Sequence, residues 1–277
     1  MTQEERRLFL IRRLLEEQPR YQGLAVPDDA AEQKYLLRAL LNVRAPAPAA
    51  ADFLEVQDAY LQAAIAEKGI TGLAGLQPAG EDMYLWQGDI TTLLCGAIVN
   101  AANSRMLGCF CPNHGCIDNA IHTYAGVQLR LACAELMRRQ AGEEETGKAR
   151  LTPAFNLPCD YVIHTVGPIV SGALKKKDKE LLASCYRSCL ELAERHHIES
   201  IAFCCISTGE FHFPNGAAAQ IAVQTIKEYR KNTNSKIKVI WNVFKDVDYE
   251  LYQGILRGIP RRAFGADAAP ERGAGNG

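Results

Sequence analysis

The chain has 277 residues, 48% of them apolar, and carries 31 basic against 32 acidic residues for a formal net charge of -1. That is enough apolar material for one sizeable core plus an extension. The balanced charge argues against a protein that holds nucleic acid through phosphate neutralisation, and no run of about 18 apolar residues is available for a membrane-spanning helix.

The first residues, MTQEERRLFLIRRLLEEQP, pair a capping box (Thr2 with Glu5) with Leu8, Ile11, Leu14 and Leu15 at helical spacing. They contain no apolar signal core and no small-residue cleavage site, so a cytoplasmic location is expected. The ten cysteines are then expected to be reduced thiols or metal ligands. Pro19 closes the first helix. A second is predicted from Asp28 to Val43, the run APAPAA breaks it, and Asp52 is placed as the cap of a third that reaches Lys68. Gly69, Gly72, Gly75 and Gly80 then crowd together, which sets a boundary between a helical extension, residues 1–75, and a following domain, residues 76–264.

Beyond that boundary the pattern changes. MYLWQG, GAIVNAA, DYVIHTVG, SIAFCCIS and KVIWNVF read as short strands. Helices are predicted between and after them, over Cys116 to about Gln140, Lys177 to His197, Pro214 to Lys231 and Asp246 to Arg257. Strands alternating with helices give an α/β fold with a largely parallel central sheet and helices on both its faces. Its ligands are expected at the carboxyl ends of the strands. Cys185 with Cys189, and Cys204 with Cys205, sit in apolar patterns and read as core residues, as do His122 and His164. The last residues, 265–277, GADAAPERGAGNG, read as a disordered tail.

The densest chemistry lies in Gly108-Cys109-Phe110-Cys111-Pro112-Asn113-His114-Gly115-Cys116, between a strand and a helix. Thiolates and imidazoles are preferred zinc ligands. If Cys109, Cys111, His114 and Cys116 all bind, the site is closed and structural. If three bind, a position stays open for water or substrate. The residue pattern leaves both open. Other signals are weaker one by one. Asp89, in Gly88-Asp89-Ile90-Thr91, fits a helix N-cap. Asn100 and Asn103 stand at the end of an apolar strand, and Ser207-Thr208-Gly209-Glu210-Phe211 fits a phosphate-cradling turn.

Together, and in this order, QGDIT, IVNAANSRMLG, CIDNAIHTYAG, TGKARLTPAFNLPCDYVIHTVGP, STGEF and NVFKDVDY resemble the macrodomain family over about residues 83–257. The cysteine-rich insertion is similar to a zinc-containing bacterial branch, some members of which occur beside sirtuin-type transferases. The resemblance implies a three-layer macrodomain fold with a mixed central sheet and a helical N-terminal extension, and ADP-ribose as ligand. It gives Asp89 and the N–H of Ile90 to adenine, Asn103 to the distal ribose with Asn100 in support, and Ile117 and Asp118 to the ribose and phosphates. Ser207, Thr208, Gly209, Glu210 and Phe211 become the diphosphate loop, and Phe244 a stacking platform beside adenine. Cys109, His114 and Cys116 become the ligands of a Zn2+ cofactor. Three departures stand out. Cys111 to Gly115 replaces a glycine run, Phe211-His212 stands where Tyr-Gly is common, and Ala154 replaces a glycine.

The activity implied is zinc-dependent removal of mono-ADP-ribose from modified protein side chains, with Asn103 and Asp118 as catalytic residues and a mono-ADP-ribosylated protein as partner. A zinc ion with an open position polarises a hydroxyl or a water, and Asp118 is placed to orient or deprotonate it. The alternative is a reader that binds ADP-ribose around a structural zinc. A monomer is expected, with no membrane and no nucleic acid partner.

Overall fold

The computed structural model describes residues 1–21 and 23–258; the expected tail lies outside the described residues, as do the last positions assigned to the second domain. Three helices lead: α1 (Gln3–Glu16), α2 (Ala30–Val43) and α3 (Ala51–Lys68). The capping box forms as expected, with Thr2 and Glu5 each accepting the other's backbone N–H. The buried stripe of α1 is Arg7, Leu10, Ile11 and Leu14: Ile11 and Leu14 are buried as expected, whereas Leu8 and Leu15 are half-buried flanks. Asp29 caps α2 through the N–H groups of Ala31 and Glu32. Asp52 does not cap α3. It lies in the first turn, where the helix dipole favours it, and pairs instead with Arg13 at 2.7 Å.

Two short strands, β1 (Thr71–Gly72) and β4 (Leu93–Leu94), pair in parallel as a separate two-stranded sheet. The main sheet has seven strands: β2 (Gln77–Gly80), β3 (Met83–Gln87), β5 (Ala97–Ala102), β6 (Ala149–Pro153), β7 (Tyr161–Val166), β8 (Ser200–Phe203) and β9 (Lys238–Val243). Their order is β2-β3-β9-β8-β5-β7-β6. The five inner strands are mutually parallel, and β2 and β6 are antiparallel at the two edges. The sequence pattern reveals β5, β7, β8 and β9 because both their faces are buried and they read as apolar runs, and β3 because it is rich in aromatic and apolar residues although only Leu85 in it is buried. The edge strands QPAG and ARLTP are half-exposed, polar or proline-bearing, and give no such signal.

The flanking helices are α4 (Ile117–Ala125), α5 (Val127–Gln140), α6 (Lys176–Arg195), α7 (Asn215–Thr233) and α8 (Asp246–Leu256). The single helix expected from Cys116 to Gln140 is two. Gly126, at φ 93°, breaks it, and a Cβ there would lie 2.6 Å from the side-chain amides of Gln57 and Gln128. Cys185, Cys189 and Cys204 are fully in the core, as expected. Leu10, Ile11, Leu37, Phe53 and Leu61 form a second apolar cluster among α1, α2 and α3, whereas Ile65 of α3 joins the core of the sheet. Among the described residues no helix is long and apolar enough to cross a membrane.

Candidate functional site

Because β3, β5, β7, β8 and β9 run in parallel, the loops after them gather along one edge of the sheet. These loops begin at Gly88, Asn103, Gly167, Cys204 and Phe244. They carry most of the residues singled out from the sequence.

After β3, Asp89 caps a single 3-10 turn, Ile90–Thr92. Its Oδ1 accepts from the N–H and hydroxyl of Thr91 at 3.0 and 2.6 Å, and its Oδ2 pairs with the Lys68 ammonium at 2.8 Å. Partial burial works against the carboxylate, but the bonds from Lys68 and Thr91 outweigh it and hold its pKa below the usual range. Lys68 comes from α3 and also lies 3.5 Å from the centre of the Tyr124 ring. Ile90 is buried beneath this turn. Across the edge, Phe244 is 77% exposed, an open aromatic face following β9. Its backbone carbonyl accepts from the Gln87 amide at the end of β3.

After β5 the polar groups interlock. Asn100 is fully buried. Its amide donates to Asp118 Oδ1 at 2.8 Å and faces His164 Nδ1 at 3.1 Å. Asn103 donates to the Gly108 carbonyl at 3.1 Å and lies 3.5 Å from Asp118 Oδ2. Asp118 opens α4 and is only 5% exposed. Burial raises its pKa to about 6, against the opposing pull of the Asn100 amide and the Arg130 guanidinium. Ile117, one residue earlier, is half-buried beside it. The two catalytic candidates are therefore neighbours in space.

Cys109 Sγ, one ring nitrogen of His114 and Cys116 Sγ all lie within 4.8 Å of one another. Cys109 Sγ is 3.5 Å from His114 Nδ1, and Cys116 caps α4, its sulfur accepting the Asn119 N–H at 3.4 Å. Cys111 is exposed and outside the group. Burial pushes the Cys116 thiol up to about 12, with the neighbouring Cys109 adding to the shift; a cation beside it reverses that balance. The donor set, two sulfurs and an imidazole, fits zinc. Gly108 lets the loop enter. It sits at φ +80° with its missing Cβ 2.9 Å from the His122 ring.

After β8, Ser207 adopts φ 67° and is buried against Gly167, where any Cβ would meet the Ser207 hydroxyl at 2.0 Å. Thr208 donates to the Cys205 carbonyl at 3.0 Å. The turn of Gly209, Glu210 and Phe211 is closed by His212 N–H on the Gly209 carbonyl and fastened by Val170 N–H on the Phe211 carbonyl. Among the described residues the N–H groups of Gly209, Glu210 and Phe211 have no partner, so they remain open to an anion. Glu210 lies 3.6 Å from His114 Nε2, so this turn and the cysteine loop meet.

A second group of possible ligands, His122, Cys133 and His164, lies in the core behind Asp118. Both ring nitrogens of His164 face partners, Asn100 on one side and the Thr152 hydroxyl, at 2.9 Å, on the other. Burial lowers the pKa of His164 to about 3 and raises that of Cys133 to about 12. The group is a neutral support for Asn100 and Asp118, and His122 and His164 are core residues as expected. Sequence reasoning missed Lys68, Thr91 and Arg130. Arg130 shares the inward face of α5 with Leu129 and Cys133, where an arginine is read as a solvated exception. It donates to the Leu107 carbonyl at 2.8 Å and lies over the Phe110 ring at 4.3 Å.

The macro domain model matches residues 99–222. A protein-ADP-ribose hydrolase of Treponema medium is 56% identical over 260 residues, spanning 92% of this chain and all of that relative. This chain belongs to the macro domain family. A protein-ADP-ribose hydrolase of Staphylococcus aureus strain MSSA476 is 51% identical over 232 residues, covering 83% of this macrodomain chain and 87% of the relative. Among solved structures, the Oceanobacillus iheyensis macrodomain with ADP superposes with a TM-score of 0.59 at 36% identity, over 66% of this chain and 95% of that one. The Trypanosoma brucei macrodomain in complex with ADP-ribose gives 0.61 at 29% identity, over 79% and 94%.

Proposed function

We propose that this macrodomain is a zinc-dependent hydrolase that removes mono-ADP-ribose from modified protein side chains. Its relatives' names support the hydrolase activity, and a solved relative holds ADP-ribose. The observation that carries the zinc dependence is the meeting of three soft donors, Cys109, His114 and Cys116, with Asn103 and Asp118 on one side and the 207–211 turn on the other. In this reading residues 1–75 are a helical extension and residues 76–264 the macrodomain.

Asp89 accepts the adenine amino group, with the Ile90 N–H beside it and Phe244 stacking on the ring. The open N–H groups from Gly209 to Phe211, with Ser207 and Thr208, hold the diphosphate. Asn103 holds the distal ribose, Asn100 fixes the Asp118 carboxylate, and Ile117 closes the wall. When bound, zinc supplies a Lewis acid to oxygens at the distal ribose. Asp118 holds or accepts a proton at Oδ2, the oxygen facing Asn103. Its pKa of about 6 suits proton transfer near neutrality.

The test is release of label from glutamate-, aspartate- and serine-linked mono-ADP-ribosylated protein, with and without a chelator, alongside ADP-ribose affinity. Asp118→Asn keeps the oxygen that Asn100 binds, so turnover should fall by ~10²–10⁴-fold while affinity holds. Tight binding of ADP-ribose with no release from any of the three substrates converts the assignment to a reader.

A further inference from the structure

The cysteine loop does little to hold itself in shape. Between Cys109 and Cys116 its one internal backbone bond is a long one, His114 N–H to the Cys111 carbonyl at 3.3 Å. Asn113 stands in the left-handed region at φ 55°. Besides Asn119 of α4 and Arg130 of α5, what fixes the loop comes from α2, some 70 residues earlier in the chain. The Asn113 N–H donates to Asn42 Oδ1 at 2.9 Å, and Asn42 is itself 1% exposed and donates to the Thr123 hydroxyl. The Arg38 guanidinium donates to the His114 carbonyl at 3.0 Å and to Asn119 Oδ1 at 2.9 Å. Asn119, fully buried, passes its own amide to the Cys111 carbonyl at 3.0 Å and its backbone N–H to Cys116 Sγ.

Arg38 and Asn42 lie one helical turn apart, so a single face of α2 grips the loop at two adjacent residues. We infer that α2 is part of the metal centre: Arg38 and Asn42 are positioning residues that hold His114 and, through Asn119, Cys116 at ligating distance. A three-ligand site needs this more than a four-ligand one. With no fourth protein donor to close the shape, the backbone around the three must be fixed from outside. The planar fork of Arg38 reaches two acceptors at once, which a lysine ammonium on the same stem does not reproduce. The helical extension thereby has a chemical task in addition to a packing one.

The inference rests on the zinc reading above. Its test uses the full-length chain stripped of metal, titrated with Zn2+ against a chromophoric chelator, and separately with Co2+ to record the ligand-field spectrum. Arg38→Ala and Asn42→Ala should bind zinc ~10–100-fold more weakly than wild type, the usual loss when an outer partner of a ligand is removed. Their cobalt spectra should shift as the ligand geometry relaxes. Arg38→Lys, which keeps charge and stem, should fall between while the metal-free melting temperature stays at the wild-type value. That variant decides the matter should Arg38→Ala fold poorly. Wild-type affinity and spectrum in Arg38→Lys and Asn42→Ala overturn the inference and leave the zinc reading intact. A wild type that takes up no zinc removes both.

Discussion

Replacing Gly108 by alanine perturbs the entrance of the cysteine loop at one atom. Two costs follow from its surroundings. At φ +80° an L-residue is strained by roughly 1–2 kcal/mol. The new methyl also lands 2.9 Å from two atoms of the His122 ring and 3.1 Å from a third. That ring is buried and must shift to make room, which costs about 1–3 kcal/mol. Alanine returns about 0.4–1 kcal/mol by narrowing the unfolded ensemble. The net is a loss of roughly 2–4 kcal/mol, or a fall in melting temperature on the order of 5–15 °C for a chain of this size. Gly115→Ala is the internal control. It lies in the same loop with nothing within 4 Å of its Cβ position and no positive φ, so it should change stability by less than about 1 kcal/mol. The assay is urea and thermal unfolding of both variants in chelator, followed by zinc titration. Gly108→Ala should also bind zinc more weakly, since Cys109 is its neighbour. Equal stability of the two variants would refute the reasoning.

Three further outcomes follow from the site. Cys116→Ala should lose zinc, whereas Cys111→Ala, whose side chain stands outside the cluster, should retain about one zinc per molecule by metal analysis; the reverse pattern would reassign the ligands. Lys68→Met removes the partner that offsets the burial of Asp89, so the pKa of that carboxylate should rise. If Asp89 accepts adenine in its ionised form, ADP-ribose affinity measured by calorimetry should then fall away at a higher pH in the variant than in wild type, and coincident pH profiles would sink that role. His122 and His164 are both held neutral by burial, so the unfolded chain takes up their protons first. Stability is complete above about pH 6.5 and is lost as pH falls toward 3, by roughly 1.4 kcal/mol per pH unit for each histidine. Asp118, raised to about 6, takes up its proton in the folded state and offsets one of them between about pH 6 and 4. An unfolding midpoint in urea that is the same at pH 5.5 and 7.5 would contradict this.

How much of this was legible in sequence depends on what each residue contacts. Asp89, Asn103, the cysteine loop and the 207–211 turn follow strands and Asn100 lies near the end of one, so the parallel topology brings them to one edge. Local pattern therefore located them. Lys68, Arg38 and Asn42 lie on helices whose exposed-looking polar residues are read as solvated, and their partners are 21, 76 and 71 positions away. No local pattern encodes such distances. Gly126 broke a helix that periodicity ran through: it stands at φ +93° with Gln57 and Gln128 packed where a Cβ would be, a contact no local pattern shows. Asp52 shows the converse: a good capping residue two positions past the cap at Ala50, taken by Arg13 instead.

The two antiparallel edge strands have a consequence for how this molecule meets copies of itself. An exposed sheet edge is an invitation to strand addition, the first step toward fibrous assembly. Here β2 carries Pro78, which has no N–H to offer, and its register slips between Pro78 and Gly80. At the far end β6 ends in Pro153, and its Arg150 is tied back to Glu144 at 2.6 Å, a charge standing on the outermost strand. The strands least visible in the sequence are thus the ones that terminate the sheet. Their prolines and charge, poor strand formers by composition, guard a highly apolar parallel sheet against aggregation from both sides.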